Sequence, residues 1–295
     1  MKPIKSYLII ARPHHYVKNG VIWMPIFFGH KLYDLHAVLR TFWVFIAFCL
    51  IASLVYIIND LNEINDDRAH PMKKHRPLSS GALSRSDALR FLIIIFLLNI
   101  SVLIVIQNIR LTFILITYLL LNAAYTYKLK TIAIIDIVII AIGFILRVFA
   151  GGIASNVKLS HWLVIMVFLL AVFLALAKRR DDLILLYSGH NTRSCLANYN
   201  LDFVNMGMIT MASVIIVSYI LYTVSPETTL LHQTTFLYLT TFWIIVGFLR
   251  YLQLTFVENK TGNPTTVVLK DFFMQAVILS WLIHNFMLIY IFIET

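Results

Sequence analysis

The run Leu92-Ile93-Ile94-Ile95-Phe96-Leu97-Leu98-Asn99-Ile100-Ser101-Val102-Leu103-Ile104-Val105 sets the solvent in which this chain folds. Only Asn99 and Ser101 interrupt it, and no apolar–polar alternation runs through it. A strand of an outer-membrane barrel would alternate, whereas a lipid-embedded helix satisfies its own backbone and can be apolar throughout. Outward from this run the chain keeps the same character: of 295 residues, 60% are hydrophobic and 13% charged, with a mean hydropathy of +0.84. About 177 apolar residues, at ~20 per crossing, build eight or nine helices and leave no room for a large soluble domain. Apolar stretches between polar breaks give nine expected spans: 17–33, 41–59, 88–107, 111–127, 133–151, 161–178, 204–224, 235–255 and 272–293. The first is the weakest, because it carries Lys18, Pro25 and Lys31. The expected fold is all-α, a polytopic membrane bundle of nine transmembrane helices with residues 1–295 as a single domain, and no repeat or linker divides it. The polar, basic start followed by a polytopic chain needs no cleavable signal. Cys49 and Cys195 support neither a disulfide framework nor a thiolate metal site.

The formal charge of +10 collects in alternate connections. If the first span starts in the cytoplasm, 19 of the 24 basic residues fall on that side; Lys31, Arg40, Arg110 and Lys158 fall on the other, and Arg147 lies inside the fifth span. That asymmetry puts the amino terminus inside and the carboxyl terminus outside. Charge of this kind suits anionic head groups or an anionic substrate, and nucleic acid is a poor candidate. Acidic residues share the cytoplasmic side, although acids contribute little to topology. A cation held at the cytoplasmic mouth of the bundle would account for them.

The acids concentrate in Asn59-Asp60-Leu61-Asn62-Glu63-Ile64-Asn65-Asp66-Asp67. On a helix continuing past the membrane edge, Asp60, Glu63 and Asp67 at i, i+3 and i+7 lie within about 60° of one another. Three carboxylates so placed repel unless something positive sits between them. Magnesium suits the arrangement, since it takes hard oxygen ligands and typically uses one or two carboxylates while substrate phosphates complete its shell. A solvated helix end with Asn59 and Asp60 as turn formers is the plainer alternative. Next comes His70-Pro71-Met72-Lys73-Lys74-His75-Arg76-Pro77, in which two prolines stiffen a loop that presents Lys73 and Arg76 beside the acids. Carboxylates for a metal next to bases for phosphate oxygens are what a magnesium diphosphate needs. Positive-inside topology would explain the bases but not their alternation with acids.

These residues resemble the first signature of the UbiA-like superfamily of intramembrane prenyltransferases, N-D-x-x-D-x-x-x-D, here Asn59, Asp60, Glu63 and Asp67. Glu63 stands where Asp is usual, which keeps the charge and lengthens the arm. Within the superfamily the chain looks most like the decaprenyl-phosphate phosphoribosyltransferase branch, over nearly its whole length. The similarity rests on Arg12-Pro13-His14-His15-Tyr16-Val17-Lys18-Asn19, His70-Pro71-x-Lys73-x-x-Arg76-Pro77 and Tyr125-Thr126-Tyr127-Lys128-Leu129-Lys130 with Asp136. It rests also on Leu146-Arg147 with Gly151, Lys178-Arg179-Arg180-Asp181-Asp182-Leu183, and Arg250-Tyr251 with Gly262, Pro264 and Asp271. Asp182 departs from the Glu usual in the branch. The second D-x-x-x-D motif general among the aromatic prenyltransferases of the superfamily is not found here. The resemblance implies a UbiA-like bundle in a bacterial cytoplasmic membrane, a site facing the cytoplasm, and a role in cell-envelope biosynthesis. It also implies Mg2+-dependent transfer of 5-phosphoribose from phosphoribosyl diphosphate to a polyprenyl phosphate.

Beyond the acidic motif, Lys178 and Arg179 are expected to bind phosphate with Asp182 orienting them, against the plainer reading of a stop-transfer cluster. Lys130 could bind a phosphate and Tyr127 hydrogen-bond it, or both could simply mark a span exit; Lys18 and Asn19 join the candidate substrate-binding set through the resemblance. Arg147, deep in an apolar helix, should face the bundle interior with a partner, as part of a structural ion pair with Asp136 through a third group or as a lipid-phosphate site. Asn259-Lys260-Thr261 is a sequon by pattern but is expected in the cytoplasm. Alternatives of different chemistry are an aromatic prenyltransferase making a quinone or haem precursor and, outside catalysis, a transporter.

Overall fold

The computed structural model describes residues 4–69, 73–188, 194–258, 267 and 269–292. His70, Pro71 and Met72, Arg193, the sequon at Asn259, and Gly262 and Pro264 lie outside the described residues. Eight helical stretches among them are long and apolar enough to cross a membrane, and the chain is a multi-pass membrane protein. They are α3 (Leu35–Asn62), α5 (Arg85–Ile106), α6 (Ile109–Tyr127), α7 (Ile135–Ser155), α8 (His161–Tyr187), α9 (Leu201–Val224), α11 (Thr241–Phe256) with the turn of tighter helix before it, and α12 (Phe272–Phe286) with the turn after it. Each overlaps one of the spans expected from hydropathy. Caps mark where chain leaves lipid: Asp34 accepts from the His36 and Ala37 amides, Ser84 forms a capping box with Asp87, and Asn108 accepts from Arg110 and Leu111.

The first expected span is built differently. Instead of one α-helix over 17–33, the chain forms α1 (Ile4–Ala11), a 3-10 helix (Pro13–Trp23) and α2 (Met24–Phe28). Arg12 takes a left-handed backbone conformation, φ 55°, and ends α1 ahead of Pro13. With three residues per turn, Pro13, Tyr16, Asn19 and Ile22 share one face, and the inner three of that face meet protein. The Tyr16 hydroxyl lies 2.7 Å from Ser53 Oγ, Asn19 donates to Cys49 Sγ at 3.3 Å, and Ile22 is fully buried. Arg12 pairs with Asp60 at one end and Lys31 with Asp34 at the other. The segment therefore runs antiparallel along the whole of α3, from Asp60 back to Asp34. At ~2 Å per residue the 3-10 stretch covers about 22 Å, short of the ~30 Å apolar core by itself; with α1 and α2 on either side it is the segment expected as the first crossing, too polar and broken to register as an apolar helix.

The described residues form two compact units. The first holds residues 1–139, 146–158 and 186–191. Its core is a cluster of Val44, Phe48, Ile51, Leu54 and Ile57 of α3 with Ala88, Ile95 and Val102 of α5, Leu115 and Tyr118 of α6, and Ala150 of α7. Asn99 of α5 donates to the Ala47 carbonyl at 2.8 Å, which satisfies the polar group that interrupts the apolar run. The second unit holds residues 140–145, 159–185 and 192–295. Phe173 of α8 packs edge-on against Phe248 and Tyr251 of α11 at 5.1 Å, and Trp281 of α12 donates to the Tyr219 hydroxyl of α9 at 2.8 Å.

Candidate active site

The mouth of the first unit is set by where α3 stops. The helix ends at Asn62; Glu63 leaves helical geometry (φ −100°, ψ 13°), and α4 (Ile64–Ala69) resumes after it. The continuous helix expected through Asp67 is thus interrupted, and the three carboxylates do not share one point. Asp60 and Asp67 remain together, 2% and 1% exposed. Glu63 instead pairs with Lys130, in the short 3-10 turn after α6, and accepts from Asn59 Nδ2 at 2.9 Å. Burial acts to raise the Glu63 carboxyl, but the Lys130 hydrogen bond and charge outweigh it and hold it below its ordinary value of 4.5.

Around the two aspartates stand bases from distant parts of the chain. Arg76 Nη1 donates to Asp60 Oδ1 at 3.1 Å and to Asp67 Oδ2 at 2.6 Å. Arg12 pairs with the same Asp60 oxygen, its guanidinium 4.9 Å from the Tyr56 ring centroid. Lys73 Nζ lies 3.8 Å from Asp67 Oδ1. Arg76 is held by a tight turn, its amide donating to the Lys73 carbonyl at 2.9 Å, immediately before Pro77.

The oxygens themselves test whether these residues suit a divalent cation. Asp60 and Asp67 each present an oxygen to the same positive centre, now a guanidinium nitrogen. Asp67 Oδ1 is buried and accepts no hydrogen bond. Two carboxylates so disposed fit an ion that completes its shell with substrate oxygens, the manner usual for Mg2+. Among the described residues no group of three or more His, Cys, Asp or Glu converges to make a closed protein cage.

The remaining candidates fall into other places. Asn19 and Arg147 are brought together deeper in the bundle: Arg147 Nε donates to Asn19 Oδ1 at 2.7 Å and Nη2 to the Tyr118 hydroxyl at 2.8 Å, with the guanidinium 4.7 Å from the Tyr118 ring centroid. Their level is that of Cys49, about 16 Å along α3 from Asp60 at ~1.5 Å per residue. Lys18 precedes Asn19 on the 3-10 helix, half-buried, and Tyr127 is exposed at the end of α6. In the second unit, Asp182 pairs with Lys178 Nζ at 3.3 Å and Arg179 Nη1 at 2.8 Å, one turn back on α8. Beside them Arg180 Nε donates to Asn205 Oδ1 at 3.1 Å. Arg12 and Tyr118 are site neighbours that the candidate set lacked. Arg12 stood in a quoted motif, but its partner lies 48 residues away, a separation that periodicity does not reveal.

Family membership makes this polytopic helical membrane protein, with a charged mouth at the end of one long helix, a transferase of the prenyl type. The chain belongs to the UbiA prenyltransferase family, whose model matches residues 22–277. It is 30% identical over 288 residues to the decaprenyl-phosphate phosphoribosyltransferase of Mycolicibacterium smegmatis, covering 95% of this chain and 86% of that one. It is 34% identical over 180 residues to the uncharacterized protein y4nM of Sinorhizobium fredii, covering 61% of this chain but only 35% of that longer protein. Among solved structures, a UbiA homolog from Archaeoglobus fulgidus bound to GPP and Mg2+ superposes with a TM-score of 0.69 at 15% identity, over 97% of this chain and 100% of that one.

Proposed function

We propose that this protein transfers 5-phosphoribose from phosphoribosyl diphosphate to a polyprenyl phosphate at the cytoplasmic face of a bacterial cytoplasmic membrane, its two units acting as one domain. The observation that carries this reading is the composition of the mouth: four bases, Arg12, Lys73, Arg76 and Lys130, ring three carboxylates. So many cations suit a substrate bearing several phosphates better than a lone prenyl diphosphate. Similarity to a named phosphoribosyltransferase over 95% of the chain supports it.

Asp60 and Asp67, with Asn59 and Glu63 beside them, would hold Mg2+, which supplies charge neutralisation for the departing diphosphate. Arg12, Lys73, Arg76 and Lys130 bind phosphate oxygens, and Tyr127 adds a hydrogen bond. Lys178 and Arg179, paired with Asp182 in the second unit, would bind phosphate, and Lys18 would face the lipid phosphate. Asn19 and Arg147 anchor the span that carries Arg12. The lipid phosphate is ionised at neutral pH and attacks the anomeric carbon without a general base, so positioning and preorganised charge carry the catalysis.

Purified protein given radiolabelled phosphoribosyl diphosphate and polyprenyl phosphate should form lipid-linked phosphoribose. A product formed only from labelled prenyl diphosphate and 4-hydroxybenzoate overturns the assignment in favour of aromatic prenylation. Asp60→Asn and Asp67→Asn should each abolish transfer while the protein still inserts and elutes as a single species. Full activity in either removes the carboxylates from the mechanism.

A further inference from the structure

Two buried carboxylates close together cannot stay ionised without a cation, and the fold supplies two guanidiniums, with the Lys73 ammonium 3.8 Å from Asp67 Oδ1. Asp60 and Asp67 face Arg76 Nη1 jointly, and Arg12 donates to the same Asp60 oxygen, Oδ1. Both arginines are partly exposed, 15% for the Arg12 side chain and 23% for Arg76, so each can rotate toward solvent without dismantling a core. Two guanidiniums and the Lys73 ammonium against two carboxylates leave the set one charge positive. A bare divalent ion joining them would raise that excess to three positive charges in a partly dry mouth, which is unfavourable. A diphosphate arriving with the ion reverses the sign, because its oxygens accept the guanidiniums as they leave the aspartates.

We infer that Arg76, with Arg12, is a built-in counter-ion that occupies the metal position between Asp60 and Asp67, so that a divalent ion binds weakly alone and tightly together with a diphosphate. This rests on the assignment of Asp60 and Asp67 to a metal. A nearby base that served diphosphate alone would repel the metal only through space, so its removal would raise metal affinity modestly. A counter-ion occupying the metal position instead makes the metal bind far more tightly once it is gone.

The test is Mn2+ binding to purified protein in nanodiscs, followed by electron paramagnetic resonance with no diphosphate present. Wild type should bind Mn2+ weakly, and Arg76→Gln should bind it about tenfold or more tightly, within the range usual for coupled sites. Arg12→Gln should shift affinity the same way by less, since Arg12 touches one carboxylate, and it gives a second reading should Arg76→Gln lose its fold. Pyrophosphate binding, measured separately by calorimetry with Mg2+, should weaken in both variants. Mn2+ affinity that is equal in wild type and both variants, or only modestly higher in the variants, overturns the counter-ion and leaves the metal assignment standing. No Mn2+ binding to any of them, with or without pyrophosphate, overturns the metal assignment itself.

Discussion

Glu63 shows how one side chain can keep a motif position while changing its immediate partner. Its amide donates to the Asn59 carbonyl at 2.9 Å and closes α3, and its carboxylate turns to Lys130 rather than to the other acids. The pair joins the end of α3 to the turn after α6, so part of its effect is on stability. Because the folded-state carboxyl is held below 4.5, its ionised form is the stabilising one. That contribution is complete above the ordinary value and is lost as pH falls through the lowered one. Glu63→Gln should therefore unfold in detergent roughly 2–4 °C below wild type at pH 7, for a loss of about 1 kcal/mol. The gap should narrow only below pH 4.5. A gap that stays constant from pH 7 to pH 3 would remove the ion pair as its cause. Glu63→Gln should also retain measurable transfer where Asp60→Asn has none. The acidic spacing was legible in the sequence; the division of labour within it was not, because it depends on a helix break at one residue and a lysine 67 residues further on.

At the scale of elements, the first crossing carries the most information. A Cβ at Gly151 of α7 would come within 2.2 Å of the Ile22 carbonyl oxygen and 3.0 Å of its carbon. Backbone meets backbone there, and neither side can yield by rotating a side chain. Gly151→Ala should push the 3-10 helix off α7, costing about 1–3 kcal/mol as overpacking does. It should also lower transfer, because the same helix carries Arg12 to Asp60. Parallel measurement of thermal unfolding and of transfer checks both; wild-type values in each would show that the close approach is not needed. Hydropathy located every α-helical crossing, since ~20 apolar residues leave few alternatives in lipid. It placed the first crossing without its form. The inward face of that segment repeats every three residues, at Tyr16, Asn19 and Ile22, and a search tuned to 3.6 blurs it. Arg147 was legible as a buried charge needing company; its company, Asn19 and Tyr118, comes from helices that only the folded chain brings together.

For the whole molecule the decisive quantity is the number of crossings, because parity fixes which side each terminus occupies. Eight α-helical spans alone would leave both ends on one side; a crossing by the 3-10 segment alongside α3 would make nine and separate them. Two exposed positions report the orientation of the first unit. Ser80 follows α4 and lies near the mouth residue Arg76, whose carbonyl its amide meets at 2.9 Å. Asn156 lines a cavity of about 310 Å³ with Lys31, Asp34, His36 and Arg40, at the opposite end of α3. The native thiols of Cys49 and Cys195 are 4% and 0% exposed and should stay silent toward a bulky, membrane-impermeant maleimide. Ser80→Cys should then label only from the cytoplasmic face, in inverted vesicles, and Asn156→Cys only from the other. A protease-cleavable tag at the amino terminus should be protected with Ser80, and one at the carboxyl terminus should be cut on the side of Asn156. Both tags on one side would reduce the crossings to an even number and take the 3-10 segment out of the membrane. Labelling of Ser80→Cys from outside would turn the charged mouth away from any cytosolic diphosphate, and the positive-inside asymmetry of 19 of 24 basic residues argues against that orientation.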